Sequence, residues 1–452
     1  MIPFSLSFAV DAVSGDYHGP QNLLSRTIDN VTIDSRSVRP GTLFVPVIGR
    51  IFDGHSFIPA AVSAGSLCVL SDRETEGTPY ILVPDTTDAL QRLAEAYLLA
   101  NRIPVVGVTG SAGKTSTKEM LYSVLSRHFS VYKTPGNLNN QTGVPQAVFQ
   151  IGTEHEVAVL ELGTNHPGEI RSLARIVRPD ICVITNIGVA HIEFFGSREN
   201  IFRGKTEMLE YMQPDGHAVV NGDDDFLCTL PDAVTYGLGS GNIFRAENIQ
   251  DCGLDGSEFD VLLHGRPVHI HVPAPGHHMI YNALAAIAVG SLFGMNAAEI
   301  SEGVSSYKPF AGRLETKRVG GITVLDDSYN ANPASMKSSI DVLKYARGRK
   351  VCILGDMFEL GEKSEAFHRE VGRYASESGI DLVLCVGKEA EYMYASASSL
   401  TPDRCLYFNE CSSLIDALPS LIRPGDTVLV KASRGMHLEQ IVQFFMDGYV
   451  QK

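Results

Sequence analysis

The feature that most constrains this chain is a short apolar strand that runs directly into a glycine-rich turn containing a lysine. Val105–Val108 precedes the run Thr109-Gly-Ser-Ala-Gly-Lys-Thr-Ser116, and a helical pattern follows to Leu125. Glycines let backbone N–H groups approach an anion, and a helix N terminus adds positive potential. Lys114 supplies a cation, and Thr115 supplies a hydroxyl suited to Mg²⁺. The segment therefore predicts a phosphate-binding loop with these residues: Gly110, Ser111, Ala112, Gly113, Lys114, Thr115 and Ser116.

The spacing of apolar runs predicts an α/β protein of three domains. A length of 452 residues corresponds to about three domains. Buried-strand patterns alternate with helices after the loop, which favours a parallel sheet covered on both faces. We expect a small α/β N-terminal domain over residues 1–100, a central P-loop parallel-sheet ATPase domain over 101–310, and a Rossmann-like C-terminal α/β domain over 311–452.

Two local features refine this scheme. Alternating residues within 235–275 predict a small antiparallel sheet inside the central domain. Asp88 is expected to be the N-cap of an amphipathic helix over Ala89–Ala100, and Asn101–Pro104 then ends that helix.

Composition excludes several classes of protein. The net charge is −15, so a nucleic-acid motor or an anionic-membrane binder is disfavoured. The longest apolar segment, Ala283–Phe293, is too short to cross a bilayer, so we expect no membrane insertion. The eight cysteines form no metal-binding or disulfide pattern, and the first residues make a poor signal peptide. We therefore expect a cytoplasmic protein.

Polar residues at predicted strand ends are the candidates for chemistry, because ligands of open parallel sheets bind there. Glu161 and His191 follow two strands of the central domain and are candidates for a metal site. Asp223–Asp225 is expected to be a solvated turn, and Lys205 a surface helix lysine. Arg313 follows a hinge-like stretch, where it would either stabilise a transferring phosphoryl group or form a hinge salt bridge.

The third block presents two further polar strand ends. Asp326-Asp-Ser-Tyr-Asn-Ala-Asn-Pro333 is either a ligand-binding loop or an Asx-rich turn that caps the next helix. Lys431-Ala-Ser-Arg434 follows the last predicted strand in the same way. Two α/β domains that present polar loops to one cleft suit the joining of two substrates with a nucleotide.

Taken together, these motifs resemble those of the Mur ligases. The similarity includes Asp34-Ser-Arg36, Gly41–Phe44, the phosphate loop, and the run from Gly136 to Pro145. Further matching segments are Glu161–Gly163, Asn186–His191, Asp326–Pro333 and Gly355-Asp-Met-Phe-Glu-Leu-Gly361.

The resemblance implies an ATP- and Mg²⁺-dependent ligase, and we expect it to be a monomer. Its substrates would be UDP-N-acetylmuramoyl-tripeptide and D-Ala-D-Ala, joined through an acyl phosphate during cytoplasmic peptidoglycan precursor synthesis. A sister ligase that adds an amino acid or glutamate is the first alternative. A P-loop switch without ligase activity is the second.

The resemblance also implies a role for each matching residue. Thr115, Glu161, His191 and a carbamylated Lys205 would hold Mg²⁺; Asn282 would face adenine, Asp327 the ribose, and Lys114 and Arg313 the phosphates. The UDP-sugar side would be bound by Ser35, Arg36, Asn137, Asn139 and Asn140. The dipeptide side would be bound by Tyr329, Asn330, Asn332, Ser433 and Arg434. Met279 departs from the family, whose members commonly carry Asn there.

Overall fold

The computed structural model describes residues 1–49 and 52–448 and shows three blocks of α/β structure in chain order. The first block contains the strands β1 Phe4–Ser5, β2 Asp16–His18, β3 Thr27–Ile28, β4 Asn30–Thr32, β5 Thr42–Phe44, β6 Cys68–Ser71 and β7 Tyr80–Leu82. Its helices are α1 Leu6–Val13, α2 Ile58–Ser63 and α3 Thr86–Ala100. The main sheet has the order β2-β7-β6-β5-β4 and is parallel except for the β2–β7 pair.

Helix α3 begins earlier than the sequence predicted. Its N-cap is Asp85, whose carboxylate accepts a hydrogen bond from the backbone N–H of Asp88. The prediction that Asp88 is the N-cap was therefore wrong. Asp88 lies in the first turn and pairs with Arg92 one turn later. Both aspartates satisfy the pattern of an N-cap, and only the backbone conformation at Asp85 separates them.

The second block is built around a parallel sheet. Its strands are β8 Val105–Thr109, β9 Val131–Lys133, β10 Val157–Glu161, β11 Ile181–Ile184, β12 His217–Asn221, β13 Val234–Gly237, β14 Phe244–Arg245, β15 Glu247–Asp251, β16 Ser257–Leu263 and β17 Arg266–Val272. Its helices are α4 Lys114–Leu125, α5 Gly143–Val148, α6 Glu169–Val177, α7 Ile192–Phe195, α8 Arg198–Thr206, α9 His277–Leu292 and α10 Ala297–Ser305.

The strand order of the sheet is β14-β13-β12-β11-β8-β10-β9. After β8 the chain adds β9 and β10 on one side of that strand and then crosses to the other side to add β11, so β8 lies where the order of addition reverses. Such a switch point is where open α/β sheets bind ligands, and the glycine-rich loop leaves β8 there. Strands β15, β16 and β17 form the small antiparallel sheet that the sequence predicted.

The third block is a second open sheet. Its strands are β18 Glu315–Val319, β19 Ile322–Asp326, β20 Lys350–Gly355, β21 Leu382–Val386, β22 Cys405–Phe408 and β23 Thr427–Lys431. Its helices are α11 Pro333–Lys344, α12 Ser364–Glu377, α13 Ala390–Ser398, α14 Cys411–Leu421 and α15 Glu439–Met446. The order β18-β19-β23-β20-β21-β22 is parallel apart from the β18–β19 hairpin. The α/β architecture with a parallel central sheet and a Rossmann-like C-terminal sheet is thus confirmed.

The apolar cores show how the blocks are joined. One core runs from Leu6 through Tyr97 on α3 to Leu173 on α6, so it is shared by the first two blocks. Two other cores consist of buried residues numbered 314 and above. The apolar cores of the third block are therefore separate from that shared core, although Leu254 of the second block packs against one of them, and a cavity forms between the second and third blocks.

Candidate functional site

The phosphate loop is held in place by the end of the neighbouring strand β11. The backbone N–H groups of Ser111 and Ala112 donate to the carbonyl and side-chain oxygens of Asn186 at 3.0 and 2.9 Å. The hydroxyl of Thr185 donates to the carbonyl of Ala112 at 2.6 Å. A Cβ atom at Gly110 would lie 1.8 Å from Oγ1 of Thr185, so only glycine fits this close approach.

Because of these contacts, only some of the backbone amides of the loop are available to an anion. Helix α4 begins at Lys114, and its N-cap, Gly113, adopts a left-handed conformation and provides no capping side chain. The first backbone N–H groups of a helix have no acceptor within the helix. The amides from Gly113 to Ser116 are therefore the ones that can bind phosphate oxygens, whereas those of Ser111 and Ala112 are engaged by Asn186.

A cavity of about 280 Å³ opens between this loop and the third block. Most of the residues predicted to bind nucleotide line it together, although they come from two blocks. From the prediction, the lining includes Ser111, Ala112, Gly113, Lys114, Thr115, Ser116, Asn282, Arg313, Asp327, Asn330 and Asn332. Lys431 and His278 also line the cavity. Lys431 belongs to the polar segment predicted after the last strand, but neither residue was assigned to the nucleotide site.

Lys114 enters the cavity with a perturbed ammonium group. Its Nζ donates to the carbonyl of Gly110 at 2.8 Å. Burial lowers the pKa of Lys114, the Glu161 carboxylate opposes that shift, and the Arg313 guanidinium adds to it. Arg313 lies 4.3 Å from the ring centre of Tyr329, and its Nε is buried without a hydrogen-bond partner. Two cations thus meet where a chain of phosphates would place negative charge.

The opposite wall of the cavity contains a buried ion pair. Lys431, 1% exposed, donates from Nζ to Oδ2 of Asp327 at 2.5 Å and to the carbonyl of Asn330 at 2.9 Å. Burial lowers the pKa of Lys431, and Asp327 opposes that shift. The sequence indicates Lys431 as part of a polar strand end, but it does not predict the pairing with Asp327, because a lysine that ends an apolar strand does not show which loop it will face.

Asn282 and Met279 lie together beside the phosphate loop. The hydroxyl of Thr117 donates to Oδ1 of Asn282 at 3.0 Å, and Nδ2 of Asn282 donates to Sδ of Met279 at 3.3 Å. The residue that departs from the family thus contacts the predicted adenine-facing residue. His278 nearby has its pKa lowered to about 4 by burial, so its imidazole is neutral at pH 7.

The oxygen ligands suited to a divalent cation gather at Glu161. Its Oε1 accepts hydrogen bonds from Thr115 at 3.3 Å and from Nδ2 of Asn139 at 2.8 Å. Its Oε2 is buried without a hydrogen-bond partner. A carboxylate oxygen, a hydroxyl and an amide are hard donors that fit Mg²⁺. Within the described ranges no three His, Cys, Asp or Glu side chains form a metal cluster.

His191 and Lys205 lie outside the residues that line the cavity. His191 contacts the Glu359 carboxylate, which lies in the Gly355–Gly361 loop of the third block. His191 lowers the pKa of Glu359, and burial opposes this shift. This contact between the second and third blocks was not predicted, because its two residues are far apart in the sequence.

Lys205 is buried, so the expectation of a surface lysine was wrong. Lys205 is 2% exposed. Burial lowers the pKa of its ammonium group far below the usual value, and the charge of Lys114 adds to that shift. Among residues 1–49 and 52–448 no ion pair or side-chain hydrogen bond compensates it. A neutral amine is a poor Mg²⁺ ligand but can react with carbon dioxide, so Lys205 fits a metal site only as a carbamate.

Several other predicted residues have structural partners. Asn140 accepts from the backbone of Thr142 and Gly143, and Asn332 caps helix α11 by accepting from Ser335 at 2.9 Å. Ser433 accepts from the backbone of Phe358 at 2.9 Å.

The remaining predicted substrate residues are more open. Asn137 is exposed. Ser35 and Arg36 lie on a short turn where Arg36 pairs with Asp34, away from the cavity lining. Arg434 lies 5.5 Å from the ring centre of Tyr329, which thus contacts two guanidinium groups.

The turn at Asp223–Asp225 does more than face solvent. Asp223 accepts from the hydroxyl of Tyr281, a cavity residue, at 3.0 Å. Asp224 accepts from the backbone N–H of Ile187 at 2.8 Å. The expectation of a solvated turn was therefore incomplete, since these carboxylates fix two segments beside the phosphate loop.

Comparison with known proteins first gives the class. Residues 27–98 match the catalytic domain of the Mur ligase family, residues 108–290 the Mur ligase middle domain, and residues 312–434 the Mur ligase glutamate ligase domain. The chain belongs to the Mur ligase family and is an ATP-dependent ligase.

The individual relatives are more specific. The chain is 38% identical to the UDP-N-acetylmuramoyl-tripeptide–D-alanyl-D-alanine ligase of Bacillus subtilis (strain 168), over 99% of both chains. It is similar to the crystal structure of MurF from Acinetobacter baumannii, with a TM-score of 0.91 and 31% identity over 98% of this chain and 99% of that one. MurF from Thermotoga maritima, solved in complex with ADP, gives a TM-score of 0.84 and 30% identity over 93% and 97% of the two chains.

The helices give one further result. Within the described part of the chain, none combines the length and the apolar character that a membrane crossing requires.

Proposed function

We propose that this chain uses ATP to join D-Ala-D-Ala to UDP-N-acetylmuramoyl-tripeptide in the cytoplasmic synthesis of peptidoglycan precursors. The observation that carries the proposal is the cavity in which the phosphate loop of one block meets Arg313, Asp327 and Asn330 of another. The full-length similarity to a ligase of that name supports the choice of substrates. We also propose that the enzyme acts as a monomer.

The chemistry follows from the poor electrophilicity of a carboxylate. The terminal carboxylate of the tripeptide attacks the γ-phosphorus of ATP, and an acyl phosphate and ADP form. The amine of D-Ala-D-Ala then attacks the acyl carbon, and phosphate leaves as the peptide bond forms. Lys114 and Arg313 stabilise the charge on the transferring group, and no side chain of the enzyme needs to be the nucleophile.

Binding of the nucleotide is shared between the two blocks. The amides from Gly113 to Ser116 bind the phosphates, Asn282 faces adenine, and Asp327 contacts the ribose. The hydrogen bond from Lys431 holds the Asp327 carboxylate in position. Because the ligands meet in a cleft between two blocks, closure of the cleft excludes water from the acyl phosphate.

We propose two places for Mg²⁺, on the chemistry of the donor atoms. Thr115 and Glu161 hold one ion, with Asn139 orienting the carboxylate through its amide. His191 and carbamylated Lys205 hold the second ion. When bound, the ions neutralise phosphate charge and align the reacting oxygens.

The substrate residues remain part of the same proposal. Ser35, Arg36, Asn137, Asn139 and Asn140 serve the UDP-sugar side. The dipeptide side is served by Tyr329, Asn330, Asn332, Ser433 and Arg434.

The test is phosphate release by the purified chain with each substrate alone and with both. We expect release from ATP only when the UDP-linked tripeptide and D-Ala-D-Ala are both present, and mass spectrometry should show the pentapeptide product. A panel of single amino acids and glutamate tests the sister reactions. Release that ignores the dipeptide would contradict the proposal, and nucleotide binding without any acceptor-dependent turnover would favour a P-loop switch.

The Lys114→Ala variant tests the role of the phosphate loop in turnover. Since Lys114 is the cation of the phosphate loop, we expect turnover to fall by at least about 100-fold while the melting temperature is kept. Lys308→Ala, at an exposed position, is the control and should keep full activity. A folded Lys114→Ala variant with normal activity would remove the loop from the mechanism.

A further inference from the structure

One buried cation of the second block has no part in the reaction described above. Lys118 lies on α4 one turn after Lys114, and its side chain is fully buried. Its Nζ donates to the carbonyl of Thr134 at 2.9 Å and lies 5.6 Å from the ring centre of Phe310. A buried ammonium group is retained only where negative charge compensates it.

Two carboxylates provide that compensation, and one of them belongs to the proposed magnesium site. Nζ of Lys118 lies 3.3 Å from Oε1 of Glu119 and 3.7 Å from Oε2 of Glu161. Oε1 of Glu161 is engaged by Thr115 and Asn139, whereas Oε2 has no hydrogen-bond partner. The carboxylate oxygen of Glu161 that has no hydrogen-bond partner among the described residues is therefore the one that faces Lys118.

The charges continue from Glu119 to the surface. Oε2 of Glu119 contacts Nζ of Lys133, which is partly exposed and lies 3.9 Å from the ring centre of Tyr122. Glu119 is thus fixed by a second lysine and does not depend on Lys118 for its position. Lys118 therefore lies between two carboxylates, those of Glu119 and Glu161, and only Glu161 belongs to the proposed magnesium site.

We propose that Lys118 is a positioning residue that serves as the counter-ion of Glu161 in the nucleotide-free enzyme and weakens the binding of a free divalent cation there. The proposal rests on the assignment of Glu161 to a magnesium site. The positive charge of Lys118, which lies this close to Oε2 of Glu161, repels a second cation. The phosphates of ATP add negative charge and offset that repulsion, so the metal binds together with the nucleotide and not before it.

The test measures Mn²⁺ binding to the full chain by electron paramagnetic resonance, first without and then with ATP. Lys118→Met removes the charge and keeps an unbranched apolar side chain. We expect about tenfold tighter Mn²⁺ binding in the nucleotide-free variant and a smaller difference once ATP is present. Lys118→Arg keeps the charge and should bind Mn²⁺ as the parent chain does. Lys133→Met removes the outer lysine, which does not contact Glu161, and should change the affinity less than twofold.

A second variant, for which we expect the opposite effect on Mn²⁺ binding, separates this role of Lys118 from a structural one. Glu119→Gln leaves Lys118 with Glu161 as its carboxylate partner within the described residues, so Mn²⁺ binding should weaken about threefold or more. If Lys118→Met and Glu119→Gln both weaken binding, or if neither changes it, the proposal is wrong. The Glu119→Gln arm keeps the test decisive even where Lys118→Met fails to fold.

The parent chain distinguishes this inference from the function on which it rests. A parent chain that binds no Mn²⁺ even with ATP would overturn the magnesium site, and the role of Lys118 with it. A parent chain that binds Mn²⁺, with unchanged affinity in Lys118→Met, would overturn the counter-ion role alone.

Discussion

At the scale of single residues, the chemistry of this protein depends on how each buried lysine is compensated. Lys431 has the carboxylate of Asp327 at 2.5 Å. Among the described residues, Lys114 has a single carbonyl within hydrogen-bond distance, and the Glu161 carboxylate acts on its pKa from further away. In that part of the chain Lys205 has neither kind of partner, and Lys114 lowers its pKa further. An ammonium group removed from water without a partner loses its proton more readily. Lys205 is therefore the lysine whose neutral, nucleophilic form is most favoured.

Lys205→Ala tests the carbamate that we propose at this position. We expect acceptor-dependent phosphate release to fall by about 10- to 100-fold or more, because a metal ligand is removed. Added formate should restore part of the activity by supplying a carboxylate in the vacated space. The measurement is the phosphate-release rate with and without formate.

Arg203, exposed on the same helix, provides the control for that experiment. Arg203→Ala should keep its activity and show no response to formate. If Lys205→Ala is fully active, Lys205 does not belong to the metal site.

At the scale of elements, helix ends do much of the work of placing the site. The N-cap of helix α4 is a glycine, which leaves the first amides of the helix without a capping side chain. The N-cap of α11 is Asn332, which forms a reciprocal capping box with Ser335, and Pro333 lies in the first turn of that helix. The first arrangement suits an anion and the second satisfies the helix internally. The two readings of the Asp326–Pro333 loop are thus compatible, because it lines the cavity and also caps a helix.

Asn332 allows those two roles to be separated. Asn332→Ala removes the cap and should lower the free energy of unfolding by about 1 kcal/mol. Asn332→Asp keeps a cap oxygen, so its stability should match that of the parent chain. If the amide of Asn332 binds the dipeptide, Asn332→Asp should raise KM for D-Ala-D-Ala and leave stability unchanged.

Chemical denaturation and steady-state kinetics on the same preparations provide these measurements. An Asn332→Ala variant as stable as the parent chain would show that the cap has little energetic weight. An unchanged KM in Asn332→Asp would limit Asn332 to its capping role.

At the scale of the whole molecule, the three blocks are not equally independent. Helix α3 belongs to the first block by sequence but packs into the core of the second. The hydroxyl of Tyr97 donates to the carbonyl of Ile151 at 2.5 Å, and Glu95 pairs with Arg178 at 2.7 Å. The third block has its own cores and meets the second through contacts such as His191–Glu359. We therefore expect any opening or closing of the cleft to move the third block against a fused pair formed by the first two.

This difference predicts how fragments will behave, with the domain limits taken from the sequence. Residues 311–452 should fold alone and unfold cooperatively, because their buried apolar residues contact one another. Residues 101–310 alone should aggregate or lack fixed structure, since removal of α3 exposes the shared core.

Amide NMR spectra and thermal melts of the two fragments decide the point. The fragment 1–310 is the control and should fold, because it retains the shared core. A well-dispersed spectrum from residues 101–310 would show that the sequence-based limit at residue 101 is also a boundary of independent folding.

The agreement between sequence and structure is closest where the signal is local. The strand at Val105–Val108, the glycine-rich turn and the helix after it are set by neighbouring residues, and the structure confirms them. Asp85 and Asp88 are equally plausible caps by residue type, and the backbone conformation decided between them. Lys118 carries one usable signal, its position four residues after Lys114, which places it on the same face of the helix.

The amino-acid sequence by itself determined the order of strands and helices, the phosphate loop and the family, because apolar periodicity and glycine placement act over a few residues. Only the tertiary structure decided that Lys431 pairs with Asp327, that Lys118 faces Glu161, and that Lys205 is buried without a carboxylate. These outcomes depend on which strands become neighbours and on how deeply a side chain is removed from water. A pair formed between residues about a hundred positions apart leaves no trace in the local pattern of either one.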